Sequence, residues 1–327
     1  MSWRVLKFGG TSVGSPEALQ AACGIVRRAA AETRVLVVVS ALAGVTSGIA
    51  RQLETALARD PSWRDPFRAL RARHREQLQA VARGRPAVAA ADALDRGLER
   101  LRDLLRAVEL LGEATPRTRA RVMAAGERLS APIFAAALAA DGEAAAPLDG
   151  TEALVARGPY DEAFPDVGAS RPKLAARLAT LGDVLPVVTG FFGADAAGDV
   201  RLFGRGGSDT SATAIGAAIG AARVEIWTDV DGVATADPRR DPAAELLPRL
   251  SYDEAFRLAR DGAKVLHWKA VAPARAAEVP IVVRNTFRPE AAGTWIGPDA
   301  AGTSSGTSSG TASGGLGRIG GESALLC

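Results

Sequence analysis

Short apolar runs alternate with amphipathic stretches along most of the chain. The runs are rich in β-branched residues and predict strands at Val5-Leu6, Arg34–Ser40, Val184–Phe192, Arg223–Trp227 and Val279–Arg284. The stretches between them repeat apolar residues at helical spacing. They predict helices over Glu17–Glu32, up to Arg59, over Pro66–Glu113 with a break near Gly84, over Arg119–Ala140 and Arg171–Leu181, and in segments ending near Ala221 and Asp261. Strands alternating with helices predict an α/β domain around a mostly parallel open sheet.

The last part of the sequence lacks this alternation. Residues 302–317 are Gly, Ser or Thr apart from Ala312 and Leu316, a composition typical of a flexible linker or tail. We therefore expect a folded domain over residues 1–298 and a Gly/Ser/Thr-rich tail over residues 299–327.

Composition narrows the classes of function. The 327 residues are 47% hydrophobic and carry a formal net charge of +3, which gives no argument for nucleic acid as a partner. Neither a signal peptide nor a run of about 18 apolar residues is apparent, so we expect a cytoplasmic protein with no membrane partner. His74 and His267 are the only histidines, which argues against a histidine metal site or a Ser-His-Asp triad. We predict no protein-held metal, and we expect Cys23 to pack as a small hydrophobe.

A glycine loop follows the first strand. It reads Lys7-Phe8-Gly9-Gly10-Thr11-Ser12, and Ser15-Pro16-Glu17 then gives a helix-start signal. A strand, a glycine turn and a helix N-terminus together present backbone N–H groups that suit a phosphate. The spacing is neither that of a P-loop nor that of a dinucleotide fingerprint. Alone, the loop is compatible with a phosphate site or with a plain tight turn.

Two further loops carry polar residues after predicted strands. Gly204–Ala212 surrounds Arg205 with glycines, and we predict that Ser208 or Asp209 caps the following helix. Its arginine and aspartate favour an anion site over a simple connector. The loop from Thr228 to Arg239 holds three aspartates, which suit Mg²⁺ or ribose hydroxyls and equally suit Asx turns.

Three helical features have a structural interpretation. The arginine-rich stretch Pro66–Glu113 is predicted to be a solvated helical layer rather than a binding surface. Glu127 lies within an apolar helix, where exposure on one face is favoured over a polar pocket. Ser251-x-x-Glu254 forms a capping box for the helix that follows.

Seven segments, in order, resemble the aspartate kinases of the amino-acid kinase superfamily. They are Lys7–Gly14, Val39–Thr46, Gly126–Ser130, Gly204–Ser211, Trp227–Arg239, Gly262–His267 and Val283–Thr294. The resemblance covers nearly Val5–Ile296 and implies a three-layer α/β/α fold. It also implies transfer of the ATP γ-phosphoryl group to the side-chain carboxylate of L-aspartate. The product would be 4-phospho-L-aspartate, which feeds lysine, threonine and methionine synthesis.

The same resemblance assigns roles residue by residue. Nucleotide binding falls to Lys7, Phe8, Gly9, Gly10, Thr228, Asp229, Arg239, Lys264 and Val265. Substrate binding falls to Thr46, Glu127, Arg205, Gly206, Gly207 and Ser208. Lys7, Ser40 and Asp209 would lie at the reacting centre. A carboxylate is already an anionic nucleophile, so catalysis would depend on positioning and on charge neutralisation by Lys7, backbone N–H groups and Mg²⁺.

The sequence also departs from the family pattern. Ala234 stands where a tyrosine is usual, Trp268 where a proline is usual, and Thr151 where an arginine is usual. The family's C-terminal ACT domains do not follow residue 298, so we expect a fused or separate regulatory domain outside this chain and insensitivity to lysine and threonine. A homodimer is a further expectation. The alternatives are a related kinase for another small acid, such as glutamate, and a catalytically weak nucleotide-binding regulatory subunit.

Overall fold

The computed structural model of the chain describes residues 2–235, 243–260 and 266–298. Within these residues the strands form one large and one small sheet. The strands are β1 (Trp3–Phe8), β2 (Arg34–Val39), β3 (Ala145–Leu148), β4 (Val155–Arg157), β5 (Phe164–Asp166), β6 (Leu185–Thr189), β7 (Phe192–Ala194), β8 (Val200–Leu202), β9 (Arg223–Thr228), β10 (Arg249–Ser251), β11 (Ile281–Asn285) and β12 (Thr294–Gly297). The five strands predicted from apolar runs correspond to β1, β2, β6, β9 and β11.

The large sheet has the order β10-β12-β11-β9-β1-β2-β6-β3. Its neighbours are parallel except β11 and β12, which are antiparallel. The small sheet, β5-β4-β7-β8, is mixed. The predicted mostly parallel α/β fold is therefore confirmed, and β1, β2 and β9 bring their carboxyl ends together at its centre.

The large sheet is covered on both faces. Along β2, Val35, Val37 and Val39 enter one apolar core, whereas Leu36 and Val38 enter the other. This follows from the alternation of side chains along a strand, and a strand buried on both faces reads as a continuous apolar run. The result is the expected three-layer α/β/α arrangement.

Helices α1 to α6 lie on the first face. They are α1 (Pro16–Ala30), α2 (Val45–Leu57), α3 (Arg64–Val81), α4 (Gly84–Leu111), α5 (Pro116–Met123) and α6 (Ala125–Ala140). The arginine-rich stretch forms α3 and α4, which separate just before Gly84 as predicted. Helix α4 is amphipathic and buries Leu94, Leu98 and Leu101. The stretch Pro116–Ala140 is long and apolar enough to cross a membrane, but most of it is buried inside the fold.

The remaining helices complete the second face. They are the short α7 (Gly150–Ala153), α8 (Val167–Leu181), α9 (Gly207–Ile219), α10 (Tyr252–Arg260) and α11 (Trp268–Ala276). The predicted capping box is present, since Ser251 Oγ accepts from Glu254 N–H and Glu254 Oε2 accepts from Ser251 N–H. Cys23 is buried in α1, as predicted.

Two local predictions were wrong. The single helix predicted over Arg119–Ala140 is two helices, which meet at Ala124. Helix α9 begins at Gly207, with Gly206 at the N-cap position and no side chain capping it. Ser208 and Asp209 therefore lie inside the first turn and do not cap the helix.

Candidate active site

A buried ion pair lies at the centre of the carboxyl edge of the sheet. Lys7 Nζ, near the end of β1, is 2.5 Å from Asp209 Oδ1 in the first turn of α9. The two residues are 7% and 9% exposed. Lys7 points to this side because it alternates with Leu6 and Phe8, which enter the opposite core. Because Asp209 is used in this pair, it is unavailable to cap α9.

The β1–α1 loop contains two backbone N–H groups that donate to no acceptor among the described residues. Gly9 N–H donates to Trp227 O at 3.0 Å and Ser12 N–H donates to Gly9 O at 3.0 Å. Within the described part of the chain, the N–H groups of Gly10 and Thr11 have no acceptor. Two unpaired amides beside a lysine suit an anion.

Glycine is needed at position 10 because two loops approach closely there. A Cβ on Gly10 would lie 2.9 Å from Ala41 O, and Gly10 O accepts from Ala43 N–H at 3.0 Å. The loop after β1 is thus packed against the loop after β2, which carries Ser40 and leads to Thr46.

Phe8 contributes its main chain rather than its ring. The ring is fully buried, tilted against Phe134 at 5.4 Å and stacked on Trp227 at 6.3 Å between centroids. Its carbonyl oxygen accepts from Ser40 N–H at 3.1 Å, which ties the ends of β1 and β2 together.

Glu127 is enclosed, so the favoured expectation of an exposed glutamate was wrong. It is 3% exposed on α6, a helix buried around nearly its whole circumference. Helix α6 approaches the loop after β2 so closely that a Cβ on Gly126 would lie 2.7 Å from Ala41 Cβ. Sequence pattern could not reveal this burial, because it comes from packing against a distant loop.

One oxygen of Glu127 has no hydrogen-bond partner among the residues that the structure describes. Oε1 accepts from Ala41 N–H at 3.2 Å, whereas Oε2 is buried without a hydrogen bond. Burial raises the pKa of Glu127 to about 8, against the opposing effects of the Ala41 hydrogen bond and the Lys7 charge. An unpaired buried carboxylate oxygen of this kind suits a cationic group of a ligand.

Helices α2 and α9 begin in the same uncommon way. Gly44 and Gly206 occupy their N-cap positions with left-handed φ angles of 80° and 68°, and no side chain caps either helix. The N–H groups of Ser208 and Asp209 have no acceptor among the described residues. Uncapped helix N-termini favour a bound anion.

Arg205 and His267 flank the start of α9. Arg205 is exposed, and the described residues offer it no hydrogen-bond or ion-pair partner. A Cβ on Gly206 would lie 2.4 Å from His267 Cβ, so a larger residue cannot replace this glycine without a shift. Among the described residues, Arg205 thus has no partner and lies near unpaired amides.

The loop after β9 is held by hydrogen bonds from the last residue of β11 and from the residues that follow it. Thr228 O accepts from Thr286 N–H at 2.9 Å, and Thr228 Oγ1 donates to Asp229 Oδ1 at 3.1 Å. Asp231 accepts from Asn285 Nδ2 at 2.7 Å and pairs with Arg288. These contacts give Asp231 a structural role and leave Asp229 exposed at the edge of the site.

Three of the residues assigned to the nucleotide, Arg239, Lys264 and Val265, lie outside the described residues. Among the described residues, no group of three or more His, Cys, Asp or Glu side chains is arranged to hold a metal.

Sequence reasoning missed a buried hydroxyl link and an ion pair. Ser12 Oγ is 2.7 Å from Thr286 Oγ1 and 3.3 Å from Trp227 O, joining three strand ends. Lys269 is buried and pairs with Glu162 beside Gly204. Lys269 could have been noticed as one of only four lysines, whereas nothing in the local pattern distinguishes Thr286.

Comparison with known proteins shows the family to which the chain belongs. The model of the amino acid kinase family matches residues 2–285. A bifunctional aspartokinase/homoserine dehydrogenase of Haemophilus influenzae is 34% identical over 301 residues, which are 90% of this chain and 36% of that protein. An aspartokinase of Chlamydia muridarum is 33% identical, over 89% of this chain and 63% of its own.

Solved structures of aspartokinases are also similar to this chain. The crystal structure of E. coli aspartokinase III in complex with aspartate and ADP superposes with a TM-score of 0.82 at 32% identity, covering 91% of this chain and 65% of that one. The lysine and aspartate complex of aspartokinase III gives 0.79. The chain thus spans 36% of the bifunctional relative and less than two thirds of the Chlamydia relative.

Proposed function

The chain belongs to the amino acid kinase family, and on that premise we propose that it is the catalytic unit of an aspartate kinase. An oxygen of the aspartate side-chain carboxylate forms a bond to the γ-phosphorus of ATP. The bond between that phosphorus and the ADP oxygen breaks, and its electron pair leaves with ADP. The products are 4-phospho-L-aspartate and ADP.

The environment of Glu127 is the main reason for choosing an amino acid as the phosphoryl acceptor. Its buried, unpaired Oε2 calls for a cation, and the α-ammonium group of a free amino acid supplies one. Arg205, which has no partner among the described residues, is suited to a bidentate grip on the α-carboxylate. The two groups together fit an α-amino acid. Aspartate is the choice because aspartokinase III was crystallised with aspartate and ADP.

The phosphoryl donor is placed beside Lys7 and the β1–α1 loop. Lys7 Nζ and the N–H groups of Gly10 and Thr11 are available to phosphate oxygens. Mg²⁺ would come as part of the substrate Mg-ATP, held mainly by the phosphates. Asp209 keeps the buried lysine paired while the site is empty. No general base is needed, because the acceptor is already an anion.

The test is aspartate-dependent release of ADP from Mg-ATP by the folded chain. We expect turnover with L-aspartate and loss of kcat in Lys7→Ala, whose circular dichroism should match the parent. A higher kcat/KM for glutamate than for aspartate would identify the related kinase instead. Nucleotide binding without turnover on either acid would identify a regulatory subunit.

The homodimer and the regulatory domain outside this chain, which the sequence resemblance implies, stay predictions, as does the cytoplasmic location inferred from the composition. Sedimentation of the purified chain tests the first of them directly.

A further inference from the structure

We propose that Arg73 is a positioning residue that sets the distance between the phosphoryl donor and the acceptor. Arg73 lies on α3, outside every segment that carries the family resemblance. Its Nη1 donates to Ala43 O at 2.8 Å, and its Nη2 donates to Gly14 O at 3.1 Å. One guanidinium therefore joins the loop after β1 to the loop after β2.

The two carbonyl groups occupy equivalent places. Gly14 directly precedes Ser15, the N-cap of α1, and Ala43 directly precedes Gly44, the N-cap of α2. Within the described part of the chain, no backbone N–H donates to either carbonyl. Arg73 is thus their protein partner, and it fixes the starting points of two helices relative to each other.

The chemistry of arginine suits this task. A guanidinium is planar and rigid, so two carbonyls bound to different nitrogens are held at a fixed separation. A lysine at the same place offers a single nitrogen on a flexible stem. Gln77, one turn later on α3, adds a bond from Nε2 to Val13 O at 3.3 Å and supports the first loop only.

The joined loops hold the two reactants in the proposed function, on which this inference rests. The first loop carries the unpaired amides of Gly10 and Thr11 that suit phosphate, and the second carries Ser40 and leads to Thr46. Loss of Arg73 leaves the direct bond from Ala43 N–H to Gly10 O in place and each loop able to bind its own ligand. It frees the carbonyls of Gly14 and Ala43, so the starts of α1 and α2 can shift relative to each other. The effect should therefore fall on kcat, since a displacement of about 1 Å in a reacting pair can reduce the rate about 100-fold.

The kinetic test compares Arg73→Ala and Arg73→Lys with Arg75→Ala. Arg75 lies on the same helix and pairs with Asp95 of α4 at 2.6 Å, away from both loops. We expect kcat to fall about 10- to 100-fold in Arg73→Ala, with KM for both substrates within about threefold. Arg73→Lys should keep part of kcat, millimolar guanidinium should restore part of it to Arg73→Ala, and Arg75→Ala should stay within about twofold of the parent. Equal kcat values for Arg73→Ala and Arg75→Ala would overturn the proposal, as would a loss confined to KM.

A second measurement is independent of activity. Amide hydrogen exchange should accelerate together in residues 9–14 and 40–46 of Arg73→Ala and Arg73→Lys, and in neither segment of Arg75→Ala. If the parent chain fails to phosphorylate aspartate while both segments respond, the proposed function is wrong and the link between the loops is right. If neither segment responds, the link itself is wrong.

Discussion

Glu127 is the proposed binding group for the α-ammonium, and its burial makes its charge depend on pH near neutrality. Its pKa is raised to about 8 because the side chain has lost its water. In the empty site it is therefore protonated at neutral pH, and binding of an ammonium group must displace that proton. Below the pKa of about 8, affinity for the amino acid should rise as the pH rises.

We expect KM for aspartate to fall by up to tenfold per pH unit between about pH 6 and 8 and then to level off. The variant Glu127→Gln should show a high KM that does not change over this range. Steady-state kinetics at saturating Mg-ATP give both profiles. A parent KM that is constant from pH 6 to 8 would contradict the assignment.

His74 predicts an effect of pH on stability rather than on activity. It is fully buried on α3, where Nδ1 lies 2.8 Å from Leu70 O, and burial lowers its pKa to about 4. The unfolded chain, with a histidine pKa near 6.5, binds more protons between those values. Stability conferred by the neutral ring is therefore present above about pH 6.5 and is lost as the pH falls towards about 4.

This loss should amount to about 3 kcal/mol. Urea unfolding of the parent and of His74→Gln, at a series of pH values, separates the contribution of His74 from the titration of other groups. The difference in unfolding free energy between the two proteins should be constant above pH 7 and change by this amount on acidification to about pH 4. Parallel curves over the whole range would show that His74 is not the group responsible.

At the scale of elements, the start of α9 departs from the local capping preference because of a tertiary contact. Ser208 and Asp209 are good capping residues, and sequence alone assigned them that role. The structure instead begins the helix at Gly207, since Asp209 pairs with Lys7 and Gly206 takes the left-handed position. The rule failed at a residue of the candidate site, where a tertiary ion pair competes with local preference.

The left-handed glycines of α9 provide a matched pair for testing this start. Gly206 has φ of 68° and no room for a Cβ beside His267, whereas Gly220 at the other end has φ of 62° and open space. Both Gly206→Ala and Gly220→Ala should lose about 1 kcal/mol or more of stability from backbone strain.

Only Gly206→Ala should also lose kcat/KM for aspartate, by about tenfold or more, because the loop that carries Arg205 must move. Thermal unfolding and steady-state kinetics of the two variants separate strain from displacement of the site. Equal kcat/KM values in the two variants would mean that the start of α9 does not position the acceptor.

At the scale of the whole molecule, the apolar runs of the sequence predicted the architecture, and the resemblance of seven ordered segments supplied the residues of the candidate site. Short strands were expected over Gly142–Gly168, where β4 and β5 lie, but the pairing of the small sheet was not predicted, because strands of three residues, such as β4 and β8, are too short to show a period. Glu127 and Arg73 show a second limit. Their partners are backbone atoms of loops far away in the chain, and the spacing of hydrophobic residues gives no information about such contacts.

We expect the folded domain to end at Pro298. Strand β12 lies inside the large sheet, between β10 and β11, and ends at Gly297. Its first residue, Thr294, accepts from Val233 N–H at 2.8 Å and donates to Leu247 O at 2.6 Å. We therefore expect a chain ending after Pro298 to keep the thermal midpoint and the kcat/KM of the 327-residue chain.

A chain ending after Pro289 removes β12 and leaves the neighbouring β10 and β11 without their shared partner. It also removes the Thr294 hydroxyl, so Val233 N–H loses its acceptor and Leu247 O loses its donor. We expect this shorter chain to unfold without a cooperative transition, as followed by circular dichroism. A fall in the midpoint of the 298-residue chain would place the boundary within residues 299–327 instead. Cooperative unfolding of the 289-residue chain would show that the sheet closes without β12.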